Sequence, residues 1–189
     1  MQVSSVIPSS KALTAQVLSK IVSDAPTPRR YLEVGAGSGA FTREILKKLR
    51  PQDHLDIVEI DPEFCKLLQE MCRDMPNVQV HTQSITEYRA EEKYDVIISG
   101  LPVHGLSAQI VRDALSNYET LTKPSGYISH FEYIILPKIK QRFLTGERGR
   151  DFDLLLDTKQ RFIDKYHPEI EKVWGNFPPA RVLHFQIPS

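Results

Sequence analysis

The 189-residue sequence predicts an open, doubly wound α/β fold with a mostly parallel sheet and an antiparallel C-terminal hairpin. Three observations carry this. Short apolar strand patterns alternate with helical patterns of ten to fifteen residues. The first clear strand runs directly into a glycine-rich turn. Two strand patterns close together near the C-terminus are joined by a Pro-rich turn.

In chain order, Ser10 caps a helix from Lys11 in which Leu13, Val17, Leu18, Ile21 and Val22 form an apolar stripe of about three turns. Asp24-Ala-Pro-Thr-Pro ends it. Tyr31–Val34 reads as a buried strand, and Phe41, Ile45, Leu46 and Leu49 show helical spacing after the glycines. The second strand is Leu55–Ile60. Asp61-Pro62 follows as N-cap and first helical residue, with Phe64, Leu67, Leu68 and Met71 as the stripe. Val78–His81 and Tyr94–Ser99 are the third and fourth strands. Ser107 caps a helix through Leu121, Lys123-Pro-Ser-Gly is a turn, and Gly126–Tyr133 is the fifth strand. Residues 138–167 interrupt the rhythm as a basic and helical insert: Lys138–Arg150 is a loop of net charge +4, and Asp151–Tyr166 is helical. Glu169–Trp174 and Arg181–Ile187 form the closing hairpin. One domain over 1–189 is expected, with residues 1–30 as a basic N-terminal segment around its amphipathic helix.

Composition narrows the function. Lys plus Arg and Asp plus Glu are each 24, so the formal charge is zero, unlike most proteins that grip nucleic acid through phosphates. No apolar run reaches the roughly 18 residues of a membrane span, and the N-terminus lacks a signal-peptide pattern. Cys65 and Cys72 are expected as free thiols, as suits a cytoplasmic protein. The six histidines show no metal-ligand spacing, so no metal is expected.

The most informative stretch is Glu33-Val-Gly-Ala-Gly-Ser-Gly39. Glycines between a strand and a helix let the backbone turn sharply and touch a ligand. The spacing is neither that of a dinucleotide loop nor that of a P-loop. A carboxylate at Glu33 repels pyrophosphate and suits a cationic ligand. Glu59 ends the next strand about twenty residues past the first glycines.

With these residues the chain resembles the class I S-adenosylmethionine-dependent methyltransferases over roughly residues 30–135. The resemblance implies S-adenosyl-L-methionine as cofactor, held by Glu33, Gly35, Ala36, Gly37, Gly39, Glu59, Ile60, Ser84 and Ser99. Ser84 stands where the family usually has an acid, and a hydroxyl still accepts a hydrogen bond there.

Four stretches are similar to the bacterial phospholipid N-methyltransferases, a branch next to the rRNA adenine dimethylases. They are Val6–Leu13, Ser99–Pro102, Phe131–Pro137 and Trp174–Ala180. The adenine dimethylases carry Asn-Leu-Pro and an aromatic where this chain has Gly100-Leu101-Pro102-Val103, so the amide and the ring that would hold a flipped adenine are missing. The resemblance therefore implies methylation of an amine on a phospholipid headgroup or small molecule; nucleic acid is disfavoured. The alternatives are an rRNA adenine N6-methyltransferase-like enzyme or a non-catalytic binding module on the same scaffold. His104 and Tyr133 are the candidate catalytic groups. Phe131, Tyr133, Trp174 and Phe177 are candidates to face an ammonium product. The basic N-terminal helix and the Lys138–Arg150 loop are expected to border one opening, allowing peripheral contact with the inner membrane face.

Overall fold

The computed structural model of the chain describes residues 10–189, so Val6–Ser9 of the first similar stretch, and the rest of residues 1–9, lie outside the described residues. Fourteen elements follow in order. They are α1 (Lys11–Val17), β1 (Arg30–Val34), α2 (Ala40–Leu46), β2 (His54–Glu59), α3 (Pro62–Met71), β3 (Val78–Thr82), β4 (Tyr94–Ser99), a 3-10 turn (Val103–Gly105), α4 (Ala108–Leu121), β5 (Thr122–Tyr133), α5 (Leu136–Phe143), α6 (Gly146–Tyr166), β6 (Glu169–Val173) and β7 (Ala180–Gln186).

One seven-stranded sheet has the order β3-β2-β1-β4-β5-β7-β6. β1 to β5 are parallel, and β7 runs antiparallel to both β5 and β6. The strand order reverses between β1 and β4, so the ligand crevice of such a sheet lies outside the carboxyl ends of these two strands. Both faces are covered. Tyr31, Leu55, Ile57, Val96, Ile98 and Val182 pack with α1, α2 and α3. Leu32, Val34, Val58, Ile97, Ile128 and Leu183 pack with α4 and α6. Burial on both faces explains why β4 reads as an almost continuous apolar run.

Three expectations change. α1 has seven residues, not three turns. Leu18 and Ile21 stay buried beyond its end, where Ser19 Oγ is 3.3 Å from His184 Nε2 and Lys20 pairs with Glu169 at 2.7 Å. Its Ser10 end meets the β6–β7 loop, where Asn176 Oδ1 accepts from Ser10 N at 3.0 Å, and its Lys20 end lies over Tyr127. The segment therefore lies along the sheet face rather than across the strand ends, and all of its apolar stripe except Val22 is consumed in the core. The Lys138–Arg150 loop is instead α5 and the first residues of α6. Finally, β5 starts at Thr122, and the Lys123–Gly126 turn is a bulge in it, with register jumping from Tyr94↔Thr122 to Val96↔Tyr127.

Candidate active site

Gly35, Gly37 and Gly39 all have positive φ, at 69°, 53° and 80°. A side chain at Gly35 would come 3.1 Å from Leu101 Cδ2, and one at Gly39 would come 2.7 Å from Met71 Cε. At Gly37 it would meet nothing within 4 Å. The loop is thus packed from below at Gly35 and Gly39 and open above Gly37. Ala36, between them, packs half-buried against the core.

Glu59 closes the crevice from β2. It is nearly buried, and its carboxylate accepts from Gly37 N (2.8 Å), Ile60 N (2.8 Å) and Asp61 N (3.0 Å). These bonds tie the strand end to the loop. Ile60 projects beyond them, 68 % exposed. Gln83 N donates to Glu59 O at 3.1 Å, which brings the Ser84 turn alongside. Ser84 Oγ is 2.8 Å from Thr86 Oγ1 and accepts from Thr86 N at 3.3 Å, so its hydroxyl caps a local turn.

Glu33 is fully buried at the end of β1. Thr42 Oγ1 donates to its Oε2 at 2.8 Å, and Oε1 has no partner among the described residues. Burial pushes its carboxyl up to about 7 against the Thr42 hydrogen bonds. An unpaired buried carboxylate oxygen, an open glycine and an amide-held acid at the next strand end fit a cationic, hydroxyl-bearing cofactor such as S-adenosylmethionine. Glu33, Gly37 and Glu59 are the residues that would hold it.

Beyond β4, Gly100 N donates to Val34 O at 2.8 Å, and a Cβ at Gly100 would come 2.7 Å from Gly35 O. The strand end passes so close to the glycine loop that no side chain fits at position 100. An amide at this position is excluded by backbone packing.

The structure does not bring His104 and Tyr133 together. His104, in the 3-10 turn, joins a charge cluster on one face of β5. Its Nε2 is 2.9 Å from Lys159 Nζ and 3.5 Å from Glu132 Oε2. Glu132 Oε2 also pairs with Lys159, and its Oε1 accepts from Arg181 Nε at 2.7 Å. Burial, then Lys159, holds His104 down at about 4, so it is neutral and its Nε2 lone pair is occupied. Burial alone would raise Glu132; Lys159, His130 and Arg181 outweigh it and hold it at about 2. Lys159 and Glu132 were not foreseen, because 27 residues and the whole of α5 separate them.

Tyr133 stands on the opposite face with Phe131, edge-on at 6.0 Å, and Phe131 is edge-on to Phe41 at 5.5 Å. Phe41 thus joins Phe131 and Tyr133 beside the glycine loop. Trp174 and Phe177 do not join them; they are 67 % and 88 % exposed on the β6–β7 loop. Ser99 is fully buried, with Oγ 3.0 Å from Tyr118 OH and 3.3 Å from His130 Nδ1. Its side chain is engaged on the α4 face of the sheet.

Known proteins resemble this chain in sequence and in fold. The ornithine lipid N-methyltransferase of Singulisphaera acidiphila is 29 % identical over 147 residues, which is 75 % of this chain and 74 % of that protein. The ribosomal RNA small subunit methyltransferase A of Pseudomonas syringae is 24 % identical over 88 % of this chain and 59 % of its own. The solved N-methyltransferase NodS of Bradyrhizobium japonicum shares the fold, with a TM-score of 0.68 at 17 % identity over 93 % of this chain and 94 % of that one. The methyltransferase domain family matches residues 32–126, half of the sequence and the part that builds the glycine loop, Glu59 and β4. The chain belongs to this family, the S-adenosylmethionine-dependent methyltransferases.

Proposed function

We propose that the protein methylates an amine nitrogen carried on a lipid headgroup or a small molecule. The observation that carries this reading is the three-ring wall of Phe41, Phe131 and Tyr133 beside the glycine loop. Aromatic faces stabilise a methylated ammonium without offering it a hydrogen bond. When bound, S-adenosylmethionine supplies an electrophilic methyl on a sulfonium sulfur. The chain's own part is to position the acceptor and to exclude water. An acceptor ammonium of ordinary pKa, about 10.4, must first lose a proton, and an apolar wall favours the neutral amine. Burial raises the Tyr133 hydroxyl, so it stays protonated, and its oxygen can accept a hydrogen bond from the amine N–H while the nitrogen lone pair stays free to attack the methyl. His104 borders the other side of the β5 end.

The similarity to a lipid N-methyltransferase over three quarters of both chains supports the lipid form of this reading. The steric exclusion of an amide at Gly100 speaks against adenine in RNA. Peripheral contact with the inner membrane face has support from the rim rather than from α1. Ile135, Phe143, Trp174 and Phe177 are exposed around the β5 end and the β6–β7 loop, with Lys140, Arg142 and Lys172 among them.

The test offers methyl-labelled S-adenosylmethionine with an amino phospholipid, its deacylated headgroup, ribosomal RNA and malonyl-acyl carrier protein. Label is expected on the amine nitrogen of the first or second. Label in RNA or on a carboxyl oxygen would overturn the reading, and label nowhere would favour the non-catalytic module. Glu59→Ala serves as the control. Loss of a charged hydrogen-bonding partner should weaken cofactor binding by about 1.5–3 kcal/mol.

A further inference from the structure

A cavity of about 380 Å³ lies at the opposite end of the sheet from the glycine loop. It sits at the amino ends of β1, β4 and β5, between the segment that follows α1 and the Lys123–Gly126 bulge. Small-molecule sites usually measure about 300–1,000 Å³ and are mostly apolar with a few convergent polar groups. This cavity fits both terms. Val22, Val96 and Tyr127 are among its apolar walls. Val22 is the one residue of the N-terminal stripe that the core leaves exposed, at 42 %.

The charges of the cavity do not balance. Lys20, Arg29 and Lys123 line it, and Asp95 is its one acid among the described residues. Lys20 is taken by Glu169 at 2.7 Å and lies over the Tyr127 ring, 4.7 Å from its centre. Arg29 and Lys123 share the single carboxylate of Asp95: Arg29 Nη1 donates to Oδ1 at 2.7 Å and Lys123 Nζ to Oδ2 at 2.8 Å. The neighbouring Arg50 and Asp53 pair with each other at 2.6 Å and cancel. One positive charge is left over. Donors are left over as well. Asp95 Oδ2 already accepts from Arg30 N at 2.8 Å, while Arg29 Nε is buried without a partner among the described residues. The Arg29 and Lys123 side chains are 34 % and 37 % exposed, so a ligand in the cavity can reach them.

We propose that this cavity binds a small organic anion, a carboxylate or phosphate monoester on a compact apolar body. The anionic group lies on Arg29 and Lys123, and the body lies against Val22, Val96 and Tyr127. Hydrogen bonds between charged partners are the strong ones, and the apolar body gains by leaving water. A bare inorganic anion obtains only the first gain and a neutral ring only the second. The site is separate from the methyl-transfer crevice, which lies beyond the carboxyl ends of the same strands, and the proposal stands whatever the methyl acceptor is.

Calorimetry tests it with benzoate, phenyl phosphate, inorganic phosphate and benzyl alcohol, on protein saturated with S-adenosylhomocysteine to keep the crevice filled. At least one of the two organic anions should bind about tenfold more tightly than either inorganic phosphate or benzyl alcohol, and the tighter of the two tells carboxylate from phosphate. Lys123→Met and Arg29→Met each leave Asp95 with one cation. Each should lower the affinity of that organic anion about tenfold, the usual loss with a charged hydrogen-bonding partner, and leave S-adenosylhomocysteine binding unchanged. Should either variant fail to fold, Val22→Trp fills the cavity from its exposed wall and should weaken the organic anion while sparing inorganic phosphate. No binding of either organic anion to the native protein overturns the proposal. So does inorganic phosphate binding as tightly as both, which would leave only a surface contact of cations, or benzyl alcohol doing so, which would leave only an apolar cleft. Native affinity in the folded variants, or competition between the organic anion and S-adenosylhomocysteine, overturns it equally.

Discussion

Gly37 differs from Gly35 and Gly39 in what a side chain would meet. All three are left-handed, but only Gly37 faces open space. Gly37→Val should therefore cost only the strain of a branched residue at positive φ, roughly 1–2 kcal/mol. It should also abolish S-adenosylmethionine binding, because the valine fills the ligand's place. Gly39→Val should lower the melting temperature much more, since its Cβ would sit 2.7 Å from Met71 Cε. Thermal melts and calorimetry on both variants check this, and native affinity in Gly37→Val would show that the cofactor does not pass over the loop. The turn of the glycines and the place of Glu59 at the end of β2 are legible in the sequence because they are set by local backbone geometry. Gly100 is present in the sequence as a departure from a pattern, but its reason is not. It lies in the carbonyl of Gly35, brought close only by the pairing of β1 with β4. The partners of His104 are hidden for the same kind of reason.

Helix starts are the best-read elements. Ser10, Asp61 and Ser107 each cap as their sequence neighbourhood indicates, with Oγ or Oδ1 accepting from Leu13 N (3.2 Å), Glu63 N (2.9 Å) and Ile110 N (3.4 Å). Helix ends and the α5–α6 segment are poorly read, because tertiary contacts decide them. α6 carries the cation that sets the His104 environment, and this gives a test at the scale of elements. Lys159→Met keeps the length of the side chain and removes its charge. The His104 pKa should then rise from about 4 toward its usual 6.5, because Lys159 lowers it and Glu132 raises it. An NMR titration of the His104 ring would read the shift. An unmoved value would mean that burial alone depresses this histidine and that α6 does not govern its proton.

Across the whole molecule, buried titratable groups set how stability follows pH. Burial lowers His104, His130 and His184 to about 4, and it raises Glu33 to about 7. The histidines bind protons on unfolding below about pH 6.5, so their stabilisation is complete above that value and is lost toward pH 4. Glu33 has the opposite sign: its folded pKa is raised, so its contribution is complete below about pH 4.5 and is lost as pH rises toward 7. Between these limits three groups take up protons on unfolding and one releases its own, a net uptake of about two. The melting temperature should therefore fall as pH drops from 6.5 to 5, and Glu33→Gln should steepen that fall. A flat profile would mean that these groups titrate alike in both states. The sheet order has a further consequence, for the course of folding. β6 touches the sheet only through β7, which follows it in the chain, and α1 is anchored at Asn176, 166 residues beyond Ser10. The edge of β5 thus stays open until the residues of β7 exist, and the Ser10 end of α1 lacks its Asn176 partner until the β6–β7 loop exists. Contacts of such long sequence separation close late and slow the search. A nascent chain halted before Ala180 would carry β5 paired to β4 alone, with its other edge open, the kind of edge on which chains join one another.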